Sequence, residues 1–157
     1  GDLVETADGL GTVKEISLTF TKLETPDGLW LMTPNSVLSS GKITNYTALG
    51  RRRAEIRVGA SYDAAVSDVR AACLDAAARV PGVLPDPAPI VYVDSYGESS
   101  ISYIVRVWCR SEDYTAVYYG LTEGLKAAFD EHGVEMPYNH LNIHILDQTE
   151  QKEKQTV

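Results

Sequence analysis

The feature that most constrains this chain is a change of hydrophobic period at Arg51-Arg52-Arg53. Beyond it, segments alternating every second residue are interleaved with segments of period about 3.6, an order that only a layered sheet-and-helix unit accommodates. Ala54, Ile56, Val58 and Ala60 share one face of a strand, with Arg53, Glu55 and Arg57 on the other. Val66, Val69, Cys73, Ala76 and Val80 follow at helical spacing, with Asp63 as candidate N-cap and Pro81-Gly82 as stop. Ile90-Val91-Tyr92-Val93 and Ile101 to Cys109 read as strands joined by a turn at Tyr96-Gly97-Glu98-Ser99. On the second, Ile101, Tyr103, Val105, Val107 and Cys109 share one face, while Ser102, Ile104, Arg106, Trp108 and Arg110 share the other. A helix from Ser111–Asp113 carries Val117, Leu121, Leu125 and Phe129 as its stripe and stops at His132-Gly133. A short strand, Val134-Glu135-Met136, closes the unit before Pro137. The order β-α-β-β-α-β is that of a split βαβ, ferredoxin-like fold.

The residues before Arg51 read as all-β. Gly11 to Ile16, Leu18 to Leu23, Leu29 to Met32 and Ile43 to Tyr46 are short strand candidates, and Leu29-Trp30-Leu31-Met32 is wholly apolar. Pro26-Asp27-Gly28 is a turn, because proline presets φ and glycine accepts φ > 0. Pro34-Asn35-Ser36 ends the third candidate, since proline cannot donate to a ladder. Closely spaced short strands rich in glycine point to a small barrel. The expected class is therefore α+β: a β-barrel followed by a ferredoxin-like α/β domain and a C-terminal strand. The expected boundaries are 1–50, 51–138, 139–147 for the strand and 148–157 for a polar tail. Units this small bury thin cores alone, so partner subunits are expected to complete the burial.

Charge narrows the partners. Acidic residues number 22 against 14 basic, giving a formal net charge of -8. Such a chain is repelled by phosphate backbones and anionic membranes unless a local basic patch reverses the field. The dense basic cluster, Arg51-Arg52-Arg53, reads either as an anion-attracting, ion-lining site or as a solvated linker with local salt bridges. No apolar run approaches the roughly 18 residues that cross a bilayer. This stretch reads as soluble, and its start at Gly1 without an initiator Met reads as a cut-out of something longer.

Catalytic signatures are missing. There is no GxxxxGK[ST] loop, no GxGxxG opening a helix, no GxSxG elbow and no HExxH. Cys73 and Cys109 read as buried, reduced thiols. His140 and His144 share a strand face but stand about 13 Å apart, too far for one metal within a chain. Copies in a symmetric ring could meet there; plain solvation is the simpler reading, and neither a metal nor a cofactor is expected. Glu112-Asp113 suits a helix N-terminus, and Asp130-Glu131 reads as plain surface. Trp108 and Ile104, on the strand face away from the helices, read as an inter-domain or subunit contact.

Several segments in order carry a resemblance. They are Gly1-Asp2-Leu3-Val4, Gly11-Thr12-Val13, Asp27-Gly28, Thr33-Pro34-Asn35-Ser36, Ile43-Thr44-Asn45-Tyr46 and Arg51-Arg52-Arg53. Val58-Gly59-Ala60-Ser61-Tyr62-Asp63, Val105-Arg106-Val107-Trp108 and Gly133-Val134-Glu135-Met136-Pro137-Tyr138 continue the string. Together they resemble the small-conductance mechanosensitive channel (MscS) family over roughly Gly1 to Ile145. The resemblance implies an Sm-like β-domain and an α/β domain in the cytoplasmic vestibule of a tension-gated inner-membrane channel active in osmotic stress. It implies a homoheptameric cage with side portals, ions as permeants, upstream pore helices, no nucleic-acid partner and no enzyme activity. On it, Pro34, Asn35 and Ser36 couple to the pore helices. Tyr46, Arg51, Arg52 and Arg53 line a portal or the vestibule. Leu141, Asn142, Ile143, His144 and Ile145 form a C-terminal barrel strand. One departure is visible: the family's Pro-Tyr-Pro-Gln reads Pro137-Tyr138-Asn139-His140 here, which frees one N–H and loosens that turn. The competing readings are a nucleic-acid-binding module, opposed by the charge, and a ligand-sensing regulatory domain.

Overall fold

The computed structural model describes residues 1–139, 141 and 143, and the fold is α+β, with eight strands and three helices among them. Strands β1 (Leu3–Thr6), β2 (Gly9–Ile16), β3 (Phe20–Glu24), β4 (Trp30–Pro34) and β5 (Thr44–Asn45) form one antiparallel sheet in the order β4-β3-β2-β1-β5. Strand β1 is an element that hydrophobic alternation alone did not single out. Gly28 sits at φ +82 in the expected turn, where its N–H donates to the Thr25 carbonyl at 2.9 Å.

The structure adds two details to this reading. The apolar segment around Trp30 is an edge strand: Thr33 is buried and Leu31 half-buried, while Trp30 and Met32 are exposed. Edge placement also explains Pro34, whose missing N–H breaks no inner ladder. Pro34-Asn35-Ser36 is not a simple turn but the start of a short helix, α1 (Asn35–Ser40), with Pro34 at its N-cap. No residue of α1 is buried.

After β5, strand β6 (Arg51–Ala60), helix α2 (Val66–Arg79), strands β7 (Ile90–Tyr96) and β8 (Ile101–Arg110) and helix α3 (Tyr114–Glu131) form the split βαβ unit. The sheet order is β6-β8-β7, all antiparallel, so β8 is inserted between the strands that α2 connects. Ile101, Tyr103, Val105, Val107 and Cys109 are all buried on the helix side, as the alternation predicts. They meet Val69, Ala72, Cys73, Ala76 and Ala77 of α2 and Val117, Leu121, Leu125 and Phe129 of α3 in one core. Each large apolar side chain covered in this way contributes about 1.5–3 kcal/mol.

Helix α2 begins later than Asp63. The backbone turns at Ser61, whose carbonyl accepts the Ala64 N–H at 3.1 Å, so Ala65 takes the N-cap position without a side-chain cap. Asp68 then supplies negative charge to the first turn. Val134-Glu135-Met136 does not form a strand either. It lies beside the end of β6 through one bond, Ser61 N–H to the Glu135 carbonyl at 3.0 Å, and Pro137 offers no donor to extend the ladder. Val134 and Met136 still pack on the core, so the expected side-chain burial survives without the hydrogen-bond ladder.

The two sheets differ sharply in what they bury. The apolar cluster runs from Ala54 to Val134 and includes nothing from the first sheet. Residues 1–50 contribute only Val4 and Leu23 as buried apolar side chains, while Ile16, Leu18, Leu29, Trp30, Met32 and Leu49 stay exposed.

Candidate functional site

The segment joining the sheets folds as a knot of polar and aromatic contacts. The Asn45 side-chain oxygen accepts the N–H groups of Thr47 and Ala48, both at 2.9 Å, which turns the chain immediately after β5. Asn45 Nδ2 and Thr47 Oγ1 donate to the two Asp2 carboxylate oxygens, and these bonds hold the Asp2 pKa below the ordinary carboxylate range. Gly50, at φ +67, completes the turn, and its carbonyl accepts the Ser111 N–H at 3.1 Å. Ser111 Oγ donates to the Tyr46 carbonyl at 3.2 Å. The link between the sheets is thereby tied to the start of α3.

Around this link lies a cleft of about 360 Å³ lined by Asn45, Tyr46, Leu49, Arg51, Arg52, Arg53, Trp108 and Tyr114. The structure thus brings together all four residues expected at a portal: Tyr46, Arg51, Arg52 and Arg53. The Arg52 guanidinium packs over two rings, 3.6 Å from the centroid of Tyr114 and 4.6 Å from that of Tyr46. The Tyr46 hydroxyl donates to Glu5 Oε2 at 2.5 Å; this bond, then burial, raises the Tyr46 pKa. Arg51 lies 5.2 Å from the Trp108 ring centroid. Arg53 is 2.6 Å from Glu55 Oε1, which also stands 3.1 Å from Arg106 Nε. Cys109 Sγ donates to the Arg52 carbonyl at 3.7 Å, and burial pushes its thiol pKa up.

Trp108 and Tyr114 belong to this cleft and were not assigned to it from sequence. Trp108 had a signal, because strand alternation places it on one face with Arg53, its cross-strand partner. Tyr114 had none, since its meeting with Arg52 depends on how α3 returns to the sheet. Ile104 needs no subunit to cover it: it is buried within the chain, flanked in register by Arg57 and Tyr92.

Pro34, Asn35 and Ser36 stand apart from the cleft. Asn35 Oδ1 accepts from Thr21 Oγ1 at 2.8 Å, while Nδ2 donates to the carbonyls of Ser17 at 2.9 Å and Leu18 at 3.3 Å. The Asn35 N–H donates to the Thr19 carbonyl at 3.0 Å. One asparagine therefore fastens the β2–β3 turn to the start of α1. Leu141 and Ile143 are exposed; Asn142, His144 and Ile145, with His140, lie outside the described residues.

A weakly cored antiparallel sheet, bound through an arginine–aromatic junction to a split βαβ unit, defines a two-sheet α+β architecture, and the matches to known proteins give its family. Residues 1–48 match the family described as "Mechanosensitive ion channel, beta-domain", and residues 54–136 match "Mechanosensitive ion channel MscS, C-terminal". The chain belongs to the MscS family of mechanosensitive ion channels. It is 31% identical over 145 residues to the small-conductance mechanosensitive channel of Edwardsiella ictaluri, covering 92% of this chain and 51% of that protein. It is 29% identical over 153 residues to an uncharacterized MscS family protein of Synechocystis, covering 98% of this chain and 51% of the relative. Among solved structures it superimposes on Helicobacter pylori MscS in the closed state with TM-score 0.88 at 28% identity, covering 94% of this chain and 59% of that one. Arabidopsis thaliana MSL1, at 21% identity and TM-score 0.69 over 88% of this chain and 52% of that one, shares the fold. The chain spans about half the length of the curated relatives it matches. Among the described residues no helix is long and apolar enough to cross a membrane.

Proposed function

We propose that this chain is the cytoplasmic vestibule of a tension-gated channel in the inner membrane, with seven copies forming a cage beneath pore helices that precede it. The carrying observation is the imbalance of burial. Residues 1–50 cover only Val4 and Leu23 among their apolar side chains, while Leu18 is 96% and Leu49 86% exposed. A sheet of this kind gains its missing burial from neighbours, and a closed ring supplies them to every copy. In that arrangement residues 1–50 form the ring and residues 51–138 the cage wall.

The roles within the cage follow the local physics. Asn35 couples a turn to a helix start, so the Pro34–Ser36 corner transmits movement of the pore helices into the sheet. Tyr46, Arg51, Arg52 and Arg53 edge the side portals, where their charge sets the potential felt by permeating ions. Membrane tension supplies the gating energy in the pore helices, while the cage holds those helices in register and passes solutes.

Two measurements test this. Multi-angle light scattering on the chain should show a concentration-dependent rise in mass toward a seven-fold assembly. Grafting residues 1–157 onto the pore helices of H. pylori MscS should give suction-activated currents in membrane patches. A chain monomeric at every concentration, together with a correctly inserted but silent graft, overturns the proposal.

A further inference from the structure

We propose that the cleft between the two sheets is a binding site for a small phosphate-bearing anion, held by Arg51 and Arg52. The inference does not depend on the channel reading, because it concerns groups already assembled within one chain.

The first observation is charge without compensation. Arg53 faces Glu55, Arg57 faces Asp94, Arg79 faces Asp75 and Glu131, Arg106 faces Glu55, and Arg110 lies near Glu112. Arg51 and Arg52 make no ion pair and donate no side-chain hydrogen bond among the described residues; aromatic faces hold them instead. Among the described residues the remaining arginine, Arg70 on α2, is also unpaired but stands by itself, whereas Arg51 and Arg52 are adjacent in a chain of net charge -8.

The second observation is orientation. A guanidinium stacked on rings uses its faces for those contacts and keeps its N–H groups, which lie in its plane, available to an acceptor. Arg52, between Tyr46 and Tyr114, is fixed this way without spending a donor. Stacking also removes rotamer freedom before any ligand arrives, which lowers the entropic cost of binding. Two acidic groups beside the link are engaged by neutral partners: Glu5 accepts the Tyr46 hydroxyl, and Asp2 accepts Asn45 and Thr47. Among the described residues Asp113, next to Tyr114, makes no ion pair with either arginine.

The third observation is room and field. The cleft of about 360 Å³ accommodates phosphate or a small phosphate ester. It opens beside the helix-free sheet face, where Arg51, Arg53, Arg57, Arg106 and Arg110 outnumber Glu55 and Asp94. A dianion balances two free guanidinium groups, and phosphate oxygens match their forked donors.

The test uses the full isotope-labelled chain at low ionic strength, titrated with inorganic phosphate and separately with glycerol 3-phosphate. Both should produce saturable amide shifts at Gly50–Arg53 and Ser111–Tyr114. Arg51→Gln and Arg52→Gln should each weaken binding about tenfold. Arg57→Gln, whose charge lies further along the same strand and is paired with Asp94, should weaken binding less than about threefold, and sodium chloride at matched ionic strength should not reproduce the shifts. Arg51→Gln leaves the Tyr46–Arg52–Tyr114 stack in place, so wild-type affinity in that variant overturns the site even if Arg52→Gln perturbs folding. Non-saturable shifts, or equal losses in Arg57→Gln, reveal a diffuse field and overturn it. Binding only to phosphatidylglycerol vesicles, or only to an RNA oligonucleotide, overturns it as well. Oligomeric mass and patch currents are unaffected by any of these outcomes, so the channel reading stands or falls separately.

Discussion

Leu23→Ala is the sharpest probe of how this chain divides its stability. Leu23 is fully buried and, apart from Val4, is the only buried apolar side chain among residues 1–50. It faces Gly11, where even a single added Cβ would stand 2.8 Å from Leu23 Cβ, so the surroundings are packed against it. Truncating a buried leucine to alanine costs about 2–5 kcal/mol. In a sheet with almost no other covered apolar group, that loss falls on β1 to β5 alone. At about 1.4 kcal/mol per tenfold, amide exchange across β1–β3 should quicken by roughly 30-fold or more. The amides of β8 and α3 should keep their protection, because their apolar cluster excludes Leu23. Hydrogen–deuterium exchange resolved by peptide reads both regions in one experiment. Equal loss of protection in α3 would refute the reasoning, since the two sheets would then open as one unit. No change in β1–β3 would refute it too, since Leu23 would not be holding that sheet.

The remaining predictions address single groups. Asn35→Ala removes three side-chain hydrogen bonds, to Thr21, Ser17 and Leu18, and should cost about 1–3 kcal/mol in denaturant titration, with Asn35→Asp, which keeps only the acceptor, falling between it and the wild type. Asp75 is held below the ordinary carboxylate range by its bond to His132 and then by Arg79, and Glu131 is lowered by Arg79. Such depressed groups stabilise the fold fully above the ordinary carboxylate range and lose that contribution as the pH falls from that range through their lowered values; the Tm of Asp75→Asn should therefore drop less between pH 6 and pH 3 than that of the wild type. Burial pushes the Cys73 thiol up to about 12 and raises that of Cys109, so both should resist thiol reagents at pH 8 until the chain unfolds.

Local periodicity carried most of the second sheet. The face shared by Ile101, Tyr103, Val105, Val107 and Cys109, and the stripe of Val117, Leu121, Leu125 and Phe129, were legible because alternation and helical spacing depend only on near neighbours. The same reasoning failed at element ends. Asp63 looked like a cap, but Ser61 had already committed the backbone to a turn; Val134–Met136 looked like a strand, but only one ladder bond forms. It was silent on burial in the first sheet, where the wholly apolar strand around Trp30 lies at an edge with Trp30 and Met32 exposed. Apolar composition does not say whether a strand is central or at an edge, and that decides its burial.

By itself the sequence determined the order of the main elements from β6 to α3, the side on which β6 and β8 bury their residues, the basic cluster at the junction and, through its ordered segments, the family. Tertiary structure alone decided that Arg52 stacks between Tyr46 and Tyr114, that Trp108 lies beneath Arg51, that Ile104 is covered within the chain, and that the first sheet is left almost without a core. The physical reason is range. Propensity and periodicity act between residues a few positions apart, whereas these contacts join segments that meet only after both sheets have formed and α3 has packed back against β6 and β8.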